Sequence, residues 1–137
     1  MTPSALSLVL YAAWTLLLLT AIAALRIGVT LASRRPASGF AVSGEDVSHF
    51  SGRLCRAHAN CYENLPAFAA IVLVAMVTGQ AQITDASALF VVTARIGQSV
   101  IHLISTRNVA VNLRFVFFAL QVGIQISWTA SLLRAGL

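Results

Sequence analysis

Between His49 and Glu63 the chain places polar and charged side chains where a membrane-crossing segment would otherwise be apolar. His49, Arg53, Arg56, Asn60 and Glu63 follow one another at steps of three or four. On a helix they form a single stripe, while the opposite face stays apolar or small. Two later segments repeat the pattern, one with Arg95, Gln98 and His102, the other with Arg114, Gln121, Gln125 and Trp128. Guanidinium forks bind carboxylates through paired, charge-assisted hydrogen bonds, and a glutamate accepts from an ammonium. The chemistry these stripes offer is therefore recognition of a soluble, mainly anionic ligand.

The elements that must position these side chains follow from composition. Of 137 residues, 58% are hydrophobic and 9% charged, with a mean hydropathy of +0.86, values that belong to a membrane protein. One crossing needs about 20 apolar residues, so four crossings use most of the chain. The predicted class is all-α, an integral membrane four-helix bundle in a single domain over 1–137, with spans near 5–33, 47–78, 86–105 and 109–133. The first span is read as retained, since Met-Thr-Pro-Ser supplies no positive n-region. Tyr11 and Trp14 are expected to anchor its outer interface, and Arg34, Arg35 and Pro36 to mark its other end. In the loop that follows, Glu45 and Asp46 stand where acidic residues favour a helix start. Pro66 removes a backbone hydrogen bond inside the second helix, which predicts a kink just beyond Glu63. The segment GQAQITD reads as a turn.

The net charge of +5 comes from nine arginines and no lysine. Several arginines lie inside or beside apolar runs rather than in a tail, which argues against nucleic acid as a partner. Arginines flank the first and third loops and are missing from the second. By the positive-inside rule the first and third loops are cytoplasmic and both termini lie outside, with Arg134 dissenting. Arginine without lysine points to a GC-rich genome and so to a bacterial plasma membrane.

Each polar residue also has an architectural reading. Arg53 and Arg56 can snorkel to lipid headgroups. An ion pair of Glu63 with Arg95 or Arg56 would relieve the cost of a carboxylate in a span without serving any ligand. His58 lies off the stripe and reads as a surface or packing residue. Cys55 and Cys61, six residues apart on one helix, point in different directions and read as small apolar fillers rather than a disulfide. No metal site is expected, because His49, His58 and His102 form no ligand spacing and neither HExxH nor CxxC occurs.

The run RLCRAHANCYENLPAF, with Arg56-Ala-His-Ala-Asn60-Cys-Tyr-Glu63 followed by a proline, resembles the signature of the membrane-associated proteins in eicosanoid and glutathione metabolism, the MAPEG family. The resemblance extends over the whole chain in length, span count and loop order and is specific over the second helix. It implies a homotrimer of four-helix subunits with glutathione as co-substrate, bound between neighbours near the cytoplasmic face. Arg56, Asn60 and Glu63 match the family's glutathione contacts on that helix, and Arg95, Gln98 and His102 match the third-helix positions. Active relatives place tyrosine or histidine where this chain has Gln98 and His102. The thiol-activating arginine is similar to Arg114, with Arg107 as the alternative match, and Phe115 and Phe118 replace hydroxyl-bearing neighbours.

The function expected from the residues and the resemblance together is a glutathione-dependent transferase or peroxidase acting on lipophilic electrophiles from the bilayer. Arg56, Asn60 and Glu63 would position glutathione, and Arg114 would stabilise its thiolate. A second reading is a non-catalytic relative whose polar stripe only cements the assembly. A third is a small proton-coupled multidrug exporter, against which the arginines beside Glu63 speak, since they keep its carboxylate ionised and repel cationic drugs.

Overall fold

The computed structural model describes residues 1–105 and 107–136, which are helical apart from short connections. Helix α1, Pro3–Ser33, starts with Pro3 in its first turn, and the Thr2 hydroxyl accepts the Ala5 N–H at 3.2 Å. It ends where Arg34 turns left-handed at φ 55°. A 3-10 turn, Ala37–Gly39, leads into the first loop. Helix α2, His49–Val77, begins later than residue 47 because the Ser48 hydroxyl takes the Ser51 N–H at 3.0 Å and so sets the cap. Glu45 and Asp46 therefore lie ahead of the helix rather than in its first turn. Helix α2 runs unbroken through Pro66.

The segment expected to be a plain turn contains helix α3, Gln82–Asp85. It closes one end of the molecule. Asp85 accepts the Ser4 N–H at 2.9 Å, and the Ser4 and Thr84 hydroxyls share a 2.7 Å hydrogen bond. These contacts satisfy donors that the start of α1 would otherwise leave open. Helices α4, Ala88–Ile104, and α5, Asn108–Gly136, complete the chain. By length and composition α1, α2 and α5 can each cross a membrane, whereas α4 is a shorter apolar helix of 17 residues. At the standard rise α4 spans about 25 Å against a hydrocarbon thickness of about 30 Å.

Helices α1, α2, α4 and α5 share one core, with Tyr11, Leu18, Phe68, Val72, Val91 and Trp128 among its buried members. The aromatic rings set the register: Tyr11 and Phe68 centroids lie 5.0 Å apart, and Phe68 and Trp128 lie 6.1 Å apart. Tyr11 is thus a core residue and not an interfacial anchor. Its ring is fully buried and its hydroxyl donates to the Cys61 carbonyl at 3.2 Å. The apolar environment takes the ring and the spare lone pair of a helical carbonyl takes the hydroxyl, so burial leaves no polar group unpaired. Cys55 and Cys61 are buried free thiols.

At the opposite end from α3, the Arg53 Nε donates to the Leu103 carbonyl at 2.9 Å. Arg53 therefore caps the C-terminal turn of α4 instead of reaching for headgroups. The contact gathers the start of α2, the end of α4 and the start of α5 at one end, together with most of the arginines.

Candidate functional site

The stripe on α2 faces a groove between α2, α4 and α5. Asn60, Glu63, Gln98, His102 and Arg114 line it together with Val111, Phe115 and Phe118, around an open space of about 430 Å³. The wall from α2 and α4 is polar and carries the Glu63 carboxylate, and Arg114 reaches it from α5. The other is an apolar edge of α5, exposed along Phe115 and Phe118.

Within the groove Arg114 Nη1 lies 2.8 Å from His102 Nδ1. Arginine has no acceptor, so Nδ1 must accept, and the imidazole in this arrangement is neutral with its proton on Nε2. That Nε2 lies 3.4 Å from the Asn60 Nδ2, so with Nδ1 accepting from Arg114 two donors face each other and no hydrogen bond joins them. Asn60 also donates to the Arg56 carbonyl at 3.0 Å, which holds its side chain along the helix. Deeper in, Gln121 donates to Gln98 Oε1 at 3.1 Å and to the Phe117 carbonyl at 2.8 Å. The inward stripes of α4 and α5 thus pair with each other, and Gln121, Gln125 and Trp128 are buried.

The expected ion pair of Glu63 with Arg95 or Arg56 does not form among the described residues. Glu63 is exposed in the groove, and among the described residues it has no arginine partner; Arg35–Asp46 and Arg56–Glu45 are the ion pairs found there. Arg95 faces away from the groove, 1% exposed between α1, α2 and α4. It donates to the Asn60 carbonyl at 3.1 Å, and its guanidinium lies 5.9 Å from the Tyr11 ring centre. The reason is angular. On α4 a residue three positions before Gln98 turns toward α1, while Glu63 on α2 turns toward α5, so the core stands between them. Arg95 and Tyr11 instead hold consecutive α2 carbonyls, those of Asn60 and Cys61, from behind the groove.

Arg56 is exposed at the arginine-rich end, one turn before Asn60, and does not line the groove. Its partner is Glu45 of the first loop. The neighbouring Asp46 accepts from Arg35 and from the Ala41 N–H, the latter at 3.1 Å. The Ala41 N–H, with Arg35 beside it, holds the Asp46 carboxyl below the usual carboxylate range. Arg35 and Arg26 also approach the Phe40 ring, at 4.6 and 5.7 Å. His58, off the stripe, packs its ring 5.4 Å from that of Tyr62. Arg107 is exposed beyond the end of α4. Among the described residues no group of three or more His, Cys, Asp or Glu side chains is placed to hold a metal ion.

Sequence reasoning missed Glu45 and Tyr11. Glu45 carried a signal in the glycines near it, Gly44 and Gly52, which permit close approach of loop and helix. Tyr11 carried none, since a tyrosine in the first half of a span reads equally as core or interface.

A profile of the MAPEG family matches residues 4–134. The chain belongs to the MAPEG family. No curated protein and no solved structure gives a significant match. As a MAPEG chain with three helices long and apolar enough to cross a bilayer, it is a membrane protein of the family associated with glutathione and eicosanoid metabolism. The MAPEG match takes in the α2 stripe and all the groove residues of α4 and α5.

Proposed function

We propose that the protein is a glutathione-dependent transferase or peroxidase for lipophilic electrophiles, built as a trimer of four-span subunits with the Arg56 end facing the cytoplasm of a bacterial cell. The observation that carries this reading is the groove in which Asn60, Glu63, Gln98 and His102 of α2 and α4 face an α5 wall that sets Arg114 among Val111, Phe115 and Phe118. Its donor set fits glutathione. Arg56, above the groove, and Arg114, within it, suit the two carboxylates or a thiolate, Glu63 suits the ammonium, and Asn60 and Gln98 suit peptide groups. The apolar edge continues along α5 into a second groove that shares Phe115 and is lined by Val116, Ala119, Leu120, Gly123 and Ile124. A hydrophobic second substrate has a path there from lipid to the polar wall.

In the transferase reaction the glutathione thiol loses its proton to water. The thiolate then attacks the electrophilic carbon, and the S–C bond forms as the bond to the leaving group breaks. Arg114 is the cation placed to favour the thiolate. In the peroxidase reaction the thiolate attacks the terminal oxygen of a hydroperoxide, the O–O bond breaks, and the alkoxide leaves as an alcohol after taking a proton from water. The sulfenic acid then condenses with a second glutathione to give the disulfide and water.

A second reading has one specific observation in its favour: Arg114 is already bonded to His102, and Phe115 and Phe118 offer no hydroxyl to help it. On that reading the polar wall serves packing alone. A thermal-shift measurement in detergent separates the two. Glutathione raises the unfolding midpoint in a concentration-dependent way if it binds the native state. No shift at millimolar glutathione would leave the packing role as the account of the groove.

A further inference from the structure

We propose that Glu45 is an internal competitor for Arg56, so that the first loop sets the affinity of the site for anionic groups. The proposal rests on the reading of Arg56 as an anchor for a ligand carboxylate. In this chain that anchor is already engaged by a carboxylate, the one on Glu45.

The contact is built from both sides by glycine. Gly44, at φ +70°, lies so close to α2 that a Cβ there would fall 2.7 Å from Cys55 Sγ and 2.8 Å from Ser51 Oγ. This backbone conformation and this approach both require glycine. On the helix side a Cβ at Gly52 would fall 2.8 Å from Glu45 Cγ, so the Glu45 stem occupies the space that a side chain at 52 would fill. Asp46 is drawn the other way, to Arg35 and the Ala41 N–H, and the two adjacent acids brace the loop between α1 and α2. Glu45, His49, Gly52, Arg53 and Arg56 together surround a pocket of about 140 Å³. Of its two arginines, Arg53 is committed through Nε to the Leu103 carbonyl. Arg56 is the arginine that Glu45 engages, and so the guanidinium for which Glu45 and an incoming carboxylate compete.

Both partners are more than half exposed, at 61% and 56% of their side chains. An ion pair that open is weak, so the competition amounts to about two- to fivefold in affinity. Glu45 thus does not close the site. It lowers affinity for anions in general, and a ligand carboxylate that wins Arg56 frees one of the loop's two acidic anchors, leaving Asp46 on Arg35. Release has a local consequence, because the loop covers Cys55, which is buried beneath Gly44.

The test uses the full chain in detergent with two readouts. The first is glutathione affinity by calorimetry for the unmodified protein, Glu45→Gln, Arg56→Gln and the double variant. The expected result is tighter binding in Glu45→Gln by about two- to fivefold, with no such gain in the Arg56→Gln background. Unchanged or weaker binding in Glu45→Gln overturns the proposal, and weaker binding would make Glu45 a partner of the ligand ammonium instead. The second readout is maleimide labelling of Cys55 in a Cys61→Ser background, and it does not involve glutathione. Labelling should accelerate in Glu45→Gln. At constant ionic strength, inorganic phosphate should accelerate it when Arg56 is present but not in Arg56→Gln. If no variant binds glutathione, the functional reading fails and labelling decides the competition. Labelling rates indifferent to Glu45→Gln and to phosphate overturn it.

Discussion

Arg114 donates to His102 in the groove, and on the proposed function its replacement should separate binding from turnover. In Arg114→Ala the proposed contacts of Arg56, Asn60 and Glu63 would remain, so the thermal shift with glutathione should persist. Conjugation of a generic electrophile should fall by tens to thousands, about 2–4 kcal/mol in the barrier, as for other removed electrostatic stabilisers. Arg107→Ala is the matched control, because Arg107 is exposed outside the groove. A fully active Arg114→Ala beside an inactive Arg107→Ala would transfer the thiol-activating role to Arg107. Glu63 makes a different prediction. It is exposed and has no arginine partner among the described residues, so Glu63→Gln should leave ligand-free stability within about 0.5 kcal/mol. It should nonetheless diminish the glutathione-dependent shift. Loss of ligand-free stability would show that Glu63 has an architectural partner, for example in a neighbouring subunit.

At the scale of elements, α2 is positioned from behind by α1 and α4. Tyr11 and Arg95 hold adjacent carbonyls of α2 at the level where Asn60 enters the groove. Tyr11→Phe keeps the ring contacts with Phe68 and removes one hydrogen bond, so it should cost about 1 kcal/mol, measured by denaturation in detergent. Tyr11→Ala also empties the ring's place in the core and should cost about 3–5 kcal/mol. Equal losses for the two would show that the hydroxyl, not the ring, carries the contact. The first loop responds to acid through Asp46. Its carboxyl is held low in the native state by the Ala41 N–H and Arg35. Its stabilisation is therefore present above the ordinary aspartate value of about 3.9 and is lost as pH falls through the lower native value. Hydrogen exchange at the Ala41 amide, corrected for its intrinsic rate, should speed up below that point. A profile flat down to pH 2 would show that the loop is held without Asp46.

At the scale of the whole molecule, the groove is open along α5, and Phe115, Val116 and Leu120 are exposed beside it. The stripes of α4 and α5 pair internally only in part: Gln121 donates to Gln98, while Gln121 Oε1, Gln125 Nε2 and the Nε and Nη2 of Arg95 are buried without a partner. The stripe of α2 leaves the groove open on one side, since Glu63 and Arg56 remain exposed at the groove and its mouth. Polar side chains in a bilayer are driven toward protein or water. We therefore expect a trimer in which a neighbour covers the open side. Native mass spectrometry in mild detergent should show three subunits, and monomers alone would sink the expectation.

The helices and their polar faces were determined by the order of residues alone, because hydrophobic runs and steps of three or four depend only on helical geometry. The α2 stripe, the membrane class and the inward faces of α4 and α5 were legible for that reason. So was the family, whose signature lies in one continuous run around Arg56, Asn60 and Glu63. What each polar side chain touches was decided only by the packing of helices against one another. Rotation about a helix axis chooses among partners that periodicity leaves equivalent, and it turned Arg95 to a carbonyl behind the groove rather than to Glu63. It also placed Tyr11 in the core, where a carbonyl of α2 was free to take its hydroxyl. The loop contacts lay furthest from sequence reasoning. Whether Glu45 serves a helix start or reaches Arg56 depends on how closely Gly44 and Gly52 let two backbones meet, which is a property of the fold and not of any one segment.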